Sequence, residues 1–219
     1  MTSSHPSVPS SSEQRVILAR HGETLLNVQR RFRGRADPPL GDRGLEQARR
    51  LGDALVRMKP TRVISSPRQR AQQTASAIAS SCRLSFVIEP KLDDVDYGAW
   101  TGLTTAEVAA RWPDDYAVFL DAPERVRFPD GESIAALVDR AWEALLSARD
   151  AEHVAVLVTH DIVIRGLLCR VLDAPLATMH RLRIDVASST GLRATADGTS
   201  VEWMNETCHL RVDENERIP

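Results

Sequence analysis

The sequence predicts an α/β fold: a mostly parallel central sheet with helices on both faces and a small cap insertion. Three observations lead to it. Short runs at 16–19, 62–65, 84–88 and 153–158 read as strands, the first and last of them apolar as strands buried on both faces are. Between them, apolar residues recur at helical spacing, as in Leu45, Ala48, Leu51, Leu55 and Val56, or Ile134, Leu137, Val138, Ala141, Leu145 and Leu146. Alternation of this kind argues a parallel sheet covered on both sides. Third, the strands end in chemistry: Arg20-His21 follow the first, Arg70 opens the helix after the second, and Thr159-His160-Asp161 follow the last. Open α/β sheets bind ligands beyond the carboxyl ends of their strands.

Taken in order, Val16-Ile17-Leu18-Ala19 runs into Arg20, His21 and Gly22. An arginine at a strand end can clamp an oxyanion in a bidentate manner. A histidine beside it is a candidate nucleophile or acid–base group, and a glycine lets the backbone turn and approach a ligand. Arginines follow at 30, 31, 33 and 35; they form either a solvated loop face or the rim of an anion pocket, with one or two of them involved. Pro38 and Pro39 mark a loop, the helix from Leu45 follows, and Pro60 lies just past its end. Ser66-Pro67 reads as the cap and first residue of a helix over 68–80. Arg70 then falls in its first turn, where a cation is unfavourable unless an anion binds beside it.

Asp93, Asp94 and Asp96 stand in an acidic, glycine-punctuated segment that is either a solvated loop or the source of one inward carboxylate. A short helix is expected over 104–111. Residues 112–130 hold three prolines and read as irregular structure, the cap over the sheet edge. A helix to about Arg149, with Trp142 as a core anchor, leads to the strand over 153–158 and a helix over 162–172. Beyond His180, alternation at Leu182, Ile184 and Val186, then Leu192 and Ala194, then Val201 and Trp203, predicts short antiparallel strands around Gly191 and Asp197-Gly198. The domain division is a disordered tail over 1–13, one domain over 14–205 with its cap at about 100–130, and a polar tail over 206–219.

Composition excludes several classes. The formal net charge of −2 gives no general attraction to nucleic acid or an anionic membrane, so neither is an expected partner. No apolar run approaches the roughly 20 residues of a membrane span. Cys82, Cys169 and Cys208 form neither a disulfide framework nor a zinc pattern, which suits a reducing, cytoplasmic setting. The Ser/Pro-rich start lacks the pattern of a secretory signal. There is no phosphate-binding P-loop, dinucleotide fingerprint or metal-ligand cluster. Two arginines and two histidines meeting at one rim suit a dianionic phosphate group.

In its ordered motifs, from about Arg15 to Ala174, the sequence resembles the histidine phosphatase superfamily, also called phosphoglycerate mutase-like. Arg20-His21-Gly22-Glu23-Thr24 with Asn27 matches R-H-G-E-T-x-x-N. Gly34, Asp37, Leu40, Gly44, Gln47, Ala48 and Leu51 match the block that follows. Ser65-Ser66-Pro67 with Arg70, Ala71, Gln73, Thr74 and Ala75 matches S-S-P-x-x-R-A-x-Q-T-A. Residues 92–102 resemble L-x-E-x-x-x-G-x-W-x-G, Gly131-Glu132-Ser133 is the family's G-E-S, and Thr159-His160 holds the second histidine.

The resemblance implies a phosphatase without cofactor or metal. Arg20, Arg70 and His160 would hold the phosphoryl oxygens with help from Asn27, and His21 would attack phosphorus to give a phosphohistidine. Two nearby guanidiniums would keep His21 unprotonated and stabilise charge in the transition state. A carboxylic acid would protonate the leaving oxygen and then activate water. The family's usual glutamate is Asp94 here, one methylene shorter. Asp161 is the alternative acid, since a His-Asp pair supplies the proton in the phytase-like branch; its other reading is a helix N-terminal residue. The expected substrate is a small phosphorylated metabolite, its identity set by the cap and by the arginines at 30–35. The family makes a homodimer plausible. The alternatives are a phosphoglycerate mutase, against which the missing N-E-R-x-Y-G segment speaks, and a catalytically silent binder of a phosphorylated ligand.

Overall fold

The computed structural model describes residues 14–149, 154–195 and 198–211. The tail expected over 1–13, the end of the chain from 212, and Asp197 of the expected turn lie outside the described residues. Among those described, β1 (Gln14–Arg20), β2 (Arg62–Ser65), β3 (Phe86–Ile88), β4 (Val154–Thr159), β5 (Ser189–Thr195) and β6 (Gly198–Glu206) form one sheet in the order β3-β2-β4-β1-β5-β6. The first four strands run parallel, and β5 and β6 add an antiparallel hairpin beside β1. The helices are α1 (Leu25–Val28), α2 (Asp42–Leu55), α3 (Gln69–Cys82), α4 (Thr105–Arg111), α5 (Pro113–Asp121), α6 (Ile134–Arg149) and α7 (Asp161–Val171).

Strand periodicity divides the core in two. Ile17, Ala19, Val156 and Val158 pack with Leu51 of α2 and Ile78 of α3 on one face. Val16, Leu18, Ala155 and Leu157 pack with Leu137 of α6 and Val163 of α7 on the other. Each fully buried leucine or isoleucine stabilises the fold by about 1.5–3 kcal/mol, so both faces fix the strand register. That register sets Arg20 opposite Thr159 and Ser65 opposite Val158. The residues just beyond these pairs, His21, His160 and Ser66, therefore begin at one rim of three adjacent strands.

The structure differs from the sequence-based expectation in several places. Residues 113–121 are helical, because Pro113 occupies the first turn, where its missing N–H costs nothing, and Asp114 and Asp115 complement the helix N-terminus. This cap helix does not cover the sheet edge. Phe119 packs against Trp100 and Phe128, with ring centroids 5.9 and 5.8 Å away, and lines a cavity beside the carboxyl ends of the strands. Helix α3 begins at Gln69 with Arg68 as its cap, so Ser66 is left for another role. Residues 182–186 are not a strand: Ile184 O accepts from the Arg20 guanidinium, Ala187 donates to His21 O, and Ala187 has a left-handed φ of 52°. The alternating pattern there reflects tethering to β1's end, not ladder pairing. Leu45, Val56 and Leu146, expected in the buried stripes, are exposed, and Trp142 is half-buried with Arg170 over its ring. The last described residues are no tail: His209 bonds Ala187 O at 2.9 Å.

The loop after β1 is clamped from behind. Gly22 N–H donates to Thr74 Oγ1, Glu23 N–H to Gln47 Oε1, and Gly41 N–H to Glu23 O. The backbones of this loop and of α2 cross so closely that a Cβ on Gly44 would lie 2.1 Å from Glu23 O, and one on Gly22 2.4 Å from Gly44 O. Gly22 thus serves backbone-to-backbone contact behind the site. Glycine to alanine inside a helix normally stabilises by about 1 kcal/mol; Gly44→Ala should instead destabilise by about 1–3 kcal/mol. A lower urea midpoint is the expected result, and an unchanged or raised one would contradict the tight crossing.

Candidate active site

The rim gathers His21, His160, Arg70 and Arg20, with solvent exposures of 0, 0, 0 and 8%. The imidazole Nδ1 of His21 lies 2.7 Å from Gly22 O. A carbonyl only accepts, so Nδ1 carries the proton and Nε2 keeps a lone pair. Nε2 is buried and has no hydrogen-bond partner. Burial first, then the positive charges of Arg70, Arg33 and Arg20, hold the His21 pKa well below its ordinary value, with His160 adding to the effect. His160 lies 5.3 Å away, ring centroid to ring centroid. Its Nε2 is 2.7 Å from Ser66 Oγ, while Nδ1 stands 3.5 Å from Asp94 Oδ2 without a hydrogen bond. Its pKa is also well below the ordinary value, from burial and then the charge of Arg70.

The two arginines are held mainly by backbone carbonyls. Arg20 donates to Ile184 O and lies 3.8 Å from Asp161. Burial draws its pKa down to about 10, which leaves it a cation at neutral pH. Arg70, in the first turn of α3, donates to Ala36 O at 2.7 Å, Gly34 O at 2.9 Å and Asp94 Oδ2 at 2.8 Å.

The acidic segment resolves into separate roles. Asp93 forms a two-point pair with Arg68 at 2.6 and 2.7 Å, and Asp96 accepts from Gly98 N–H and pairs with Arg35. Asp94 alone turns inward, to Arg70 and His160. Asp161 opens α7, bonds Arg165 at 2.6 Å and is partly exposed. Asp94 and Asp161 both line a cavity of about 290 Å³ walled by Phe32, Tyr116 and Phe119. Asn27 is not brought into the cluster by a hydrogen bond; its Oδ1 accepts from the N–H and hydroxyl of Thr24 in its own turn, so only its amide N–H groups are free for a ligand.

A family model described as histidine phosphatase superfamily (branch 1) matches residues 16–207. The chain belongs to the histidine phosphatase superfamily. It is 31% identical over 198 residues to Phosphoserine phosphatase 1 of Hydrogenobacter thermophilus, covering 90% of this chain and 94% of that protein. It is 32% identical over 205 residues to Probable phosphoglycerate mutase GpmB of Yersinia pestis, covering 89% and 94%. Against the longer Bifunctional protein Rv2228c of Mycobacterium tuberculosis, 36% identical over 201 residues, it spans 55% of that length. The solved structure of Bacillus stearothermophilus YhfR superposes with a TM-score of 0.85 at 27% identity, over 90% of this chain and all of that one. The enzyme class that goes with the family and with the first relative is phosphoric monoester hydrolase.

Three supports of this histidine phosphatase site were not assigned from sequence. Ser66 orients His160, although it reads as a helix cap. Thr74 holds the Gly22 N–H from within α3. Glu132 of the G-E-S motif accepts from Asp96 N–H and from Arg140, and Arg140 also donates to the carbonyls of Asp93 and Asp94. That pair fixes the backbone that aims Asp94. The signal for Ser66 was present, since Ser66 follows β2 as His160 follows β4, but only the register brings them together.

Both histidines are neutral when folded and titrate near 6.5 when unfolded. Below pH 6.5 the unfolded chain binds more protons, so stability should fall with pH by up to about 1.4 kcal/mol per unit for each histidine. Above pH 6.5 they add no slope. In urea titrations between pH 7 and 5, His160→Gln should show a shallower fall than wild type, whatever its stability at pH 7. Equal slopes would mean that His160 is not buried as the neutral form.

Proposed function

We propose that this histidine phosphatase is a metal-independent phosphomonoesterase that hydrolyses a small phosphorylated metabolite through a phosphohistidine on His21. The buried, unpartnered Nε2 of neutral His21, set among guanidiniums, carries the reading. A phosphoryl group placed there meets Arg20 and Arg70. With Ser66 Oγ donating to His160 Nε2, Nδ1 of His160 carries a proton and donates to a phosphoryl oxygen. Among the described residues no group of three His, Cys, Asp or Glu is placed to hold a metal ion, and the guanidiniums supply the positive charge in the proposed reaction.

In the first step His21 Nε2 forms a bond to phosphorus as the bond to the leaving oxygen breaks, and that oxygen takes a proton from Asp94. Asp94 enters this step as the carboxylic acid and leaves it as the carboxylate. In the second step the Asp94 carboxylate takes a proton from water, the hydroxide attacks phosphorus, the P–N bond breaks and phosphate leaves. Asp94 is preferred to Asp161 because it touches Arg70 and approaches His160, whereas Asp161 is tied to Arg165. Among the described residues no helix is long and apolar enough to cross a membrane. The free cysteines favour a reducing, cytoplasmic setting.

The test is phosphate release from a panel of phosphomonoesters in EDTA. Wild type should turn over and His21→Ala should not; release that survives His21→Ala removes His21 as nucleophile. Folded wild type with no release from any member would favour a silent binder, and transfer of phosphate to a substrate hydroxyl would favour a mutase. Asp94→Asn should lower kcat by about 10²–10⁴-fold and Asp161→Asn by less than about 10-fold. The reverse ranking would make Asp161 the acid.

A further inference from the structure

The segment that carries Arg30, Arg31, Arg33 and Arg35 is fixed from both sides. Phe32 exchanges backbone hydrogen bonds with Gly102 and Leu103, and the carbonyls of Gly34 and Ala36 accept from Arg70. Gly34 turns the chain with a φ of 50°, where a Cβ would lie 2.8 Å from Val95 O. Two of the arginines are engaged: Arg31 donates to Gly102 O and Glu107, and Arg35 pairs with Asp96. Arg30 is exposed at the cavity rim. Arg33 lines the same cavity as Asp94, and its Nε is buried without a partner. Among the described residues it makes no ion pair, although it is not an exposed residue.

A guanidinium held in this way is costly in the ligand-free protein. Its charge is directed at the phosphoryl site: it lowers the pKa values of His21, His160, Arg20 and Arg70, and on His21 its effect exceeds that of Arg20. A fixed cation whose field falls on all four groups, and which has no carboxylate partner of its own, is placed for the anion those groups bind.

We propose that Arg33 is a third phosphoryl-binding guanidinium, joining Arg20 and Arg70 on the oxygens of the transferring group. This rests on the reading that Arg20, Arg70 and the two histidines hold a phosphoryl group. Recognition then concentrates on the dianion itself. The leaving group is left to the rest of the cavity, where Phe32, Tyr116 and Phe119 stand beside Arg30, Arg31 and Arg165.

The test uses full-length Arg33→Gln and Arg33→Lys beside wild type. Inorganic phosphate binding is read by calorimetry, and kcat/KM is read on p-nitrophenyl phosphate and on phosphoserine. Arg33→Gln should weaken phosphate binding by about 10- to 100-fold, as for loss of hydrogen bonds to a charged group. It should lower kcat/KM on both substrates by a similar factor, with partial recovery in Arg33→Lys. The ligand-free melting temperature of Arg33→Gln should equal or exceed that of wild type. Unchanged phosphate affinity would overturn the proposal. So would a loss confined to phosphoserine, which would assign Arg33 to a carboxylate on the substrate, or a lowered ligand-free melting temperature, which would make Arg33 a structural group. A wild type that binds phosphate and hydrolyses no ester would defeat the phosphatase reading while the phosphate arm still decides the role of Arg33.

Discussion

The pairing of Arg20 with Thr159 across β1 and β4 is the constraint from which the site follows. Side chains alternate along a strand, so a slip of one residue would exchange its two core faces. Ile17 and Ala19 are fitted to α2 and α3, and Val16 and Leu18 to α6 and α7, so such a slip would expose one packed set to the wrong partners. The core therefore determines that His21 and His160 leave adjacent strands at the same height. Ser66 arrives from the third strand by the same means, since β2 pairs β4 with Ser65 opposite Val158. Packing energy distributed over the sheet is thereby converted into a fixed distance between two imidazoles.

The second constraint is electrostatic. Buried cations are usually neutralised by carboxylates, and most arginines near this rim are: Arg68 by Asp93, Arg35 by Asp96, Arg165 by Asp161. Arg20 donates to one carbonyl oxygen and Arg70 to two, which does not cancel their charge; Arg70 also pairs with Asp94, and the Nε of each arginine is buried without a partner. Positive potential consequently remains where the two neutral histidines face each other. The histidines cannot relieve it by giving up charge, because burial has already kept them neutral. An anion is the group that completes this arrangement, and a dianion does so better than a monoanion.

Much of this was legible in the sequence, and the reasons for the remainder are specific. Arg20, His21, Arg70 and His160 could be named because each stands where a strand gives way to a loop or helix, a local pattern. The cap helix was hidden by Pro113, which breaks helices in general but is accommodated at their first turn. Residues 182–186 alternate like a strand, with Leu182 and Ile184 set against the core, yet Ile184 O is taken by Arg20 and the Asp185 N–H by Asn205 Oδ1. The roles of Ser66, Thr74 and Arg140 depend on partners 94, 52 and 46 residues away in the chain. No local pattern encodes separations of that kind.

The acidic segment shows how the two constraints meet. Three aspartates in four residues repel one another, and a free loop would spread them into solvent. Here Arg68 takes Asp93 and Arg35 takes Asp96, while Arg140, braced by Glu132, grips the backbone carbonyls of Asp93 and Asp94. Asp94 is thus aimed by its neighbours' bonds, and its own side chain is free to serve Arg70 and His160. This matters for an aspartate in a place where the family usually has a glutamate. A shorter side chain has less reach and fewer rotamers, so its position must come from the backbone. The Glu132–Arg140 brace supplies that position from outside the cavity, where neither residue is part of the lining. The carboxylate itself is engaged as well, Oδ2 by the Arg70 guanidinium and Oδ1 by the Val95 N–H, so main-chain and side-chain bonds together fix where Asp94 stands.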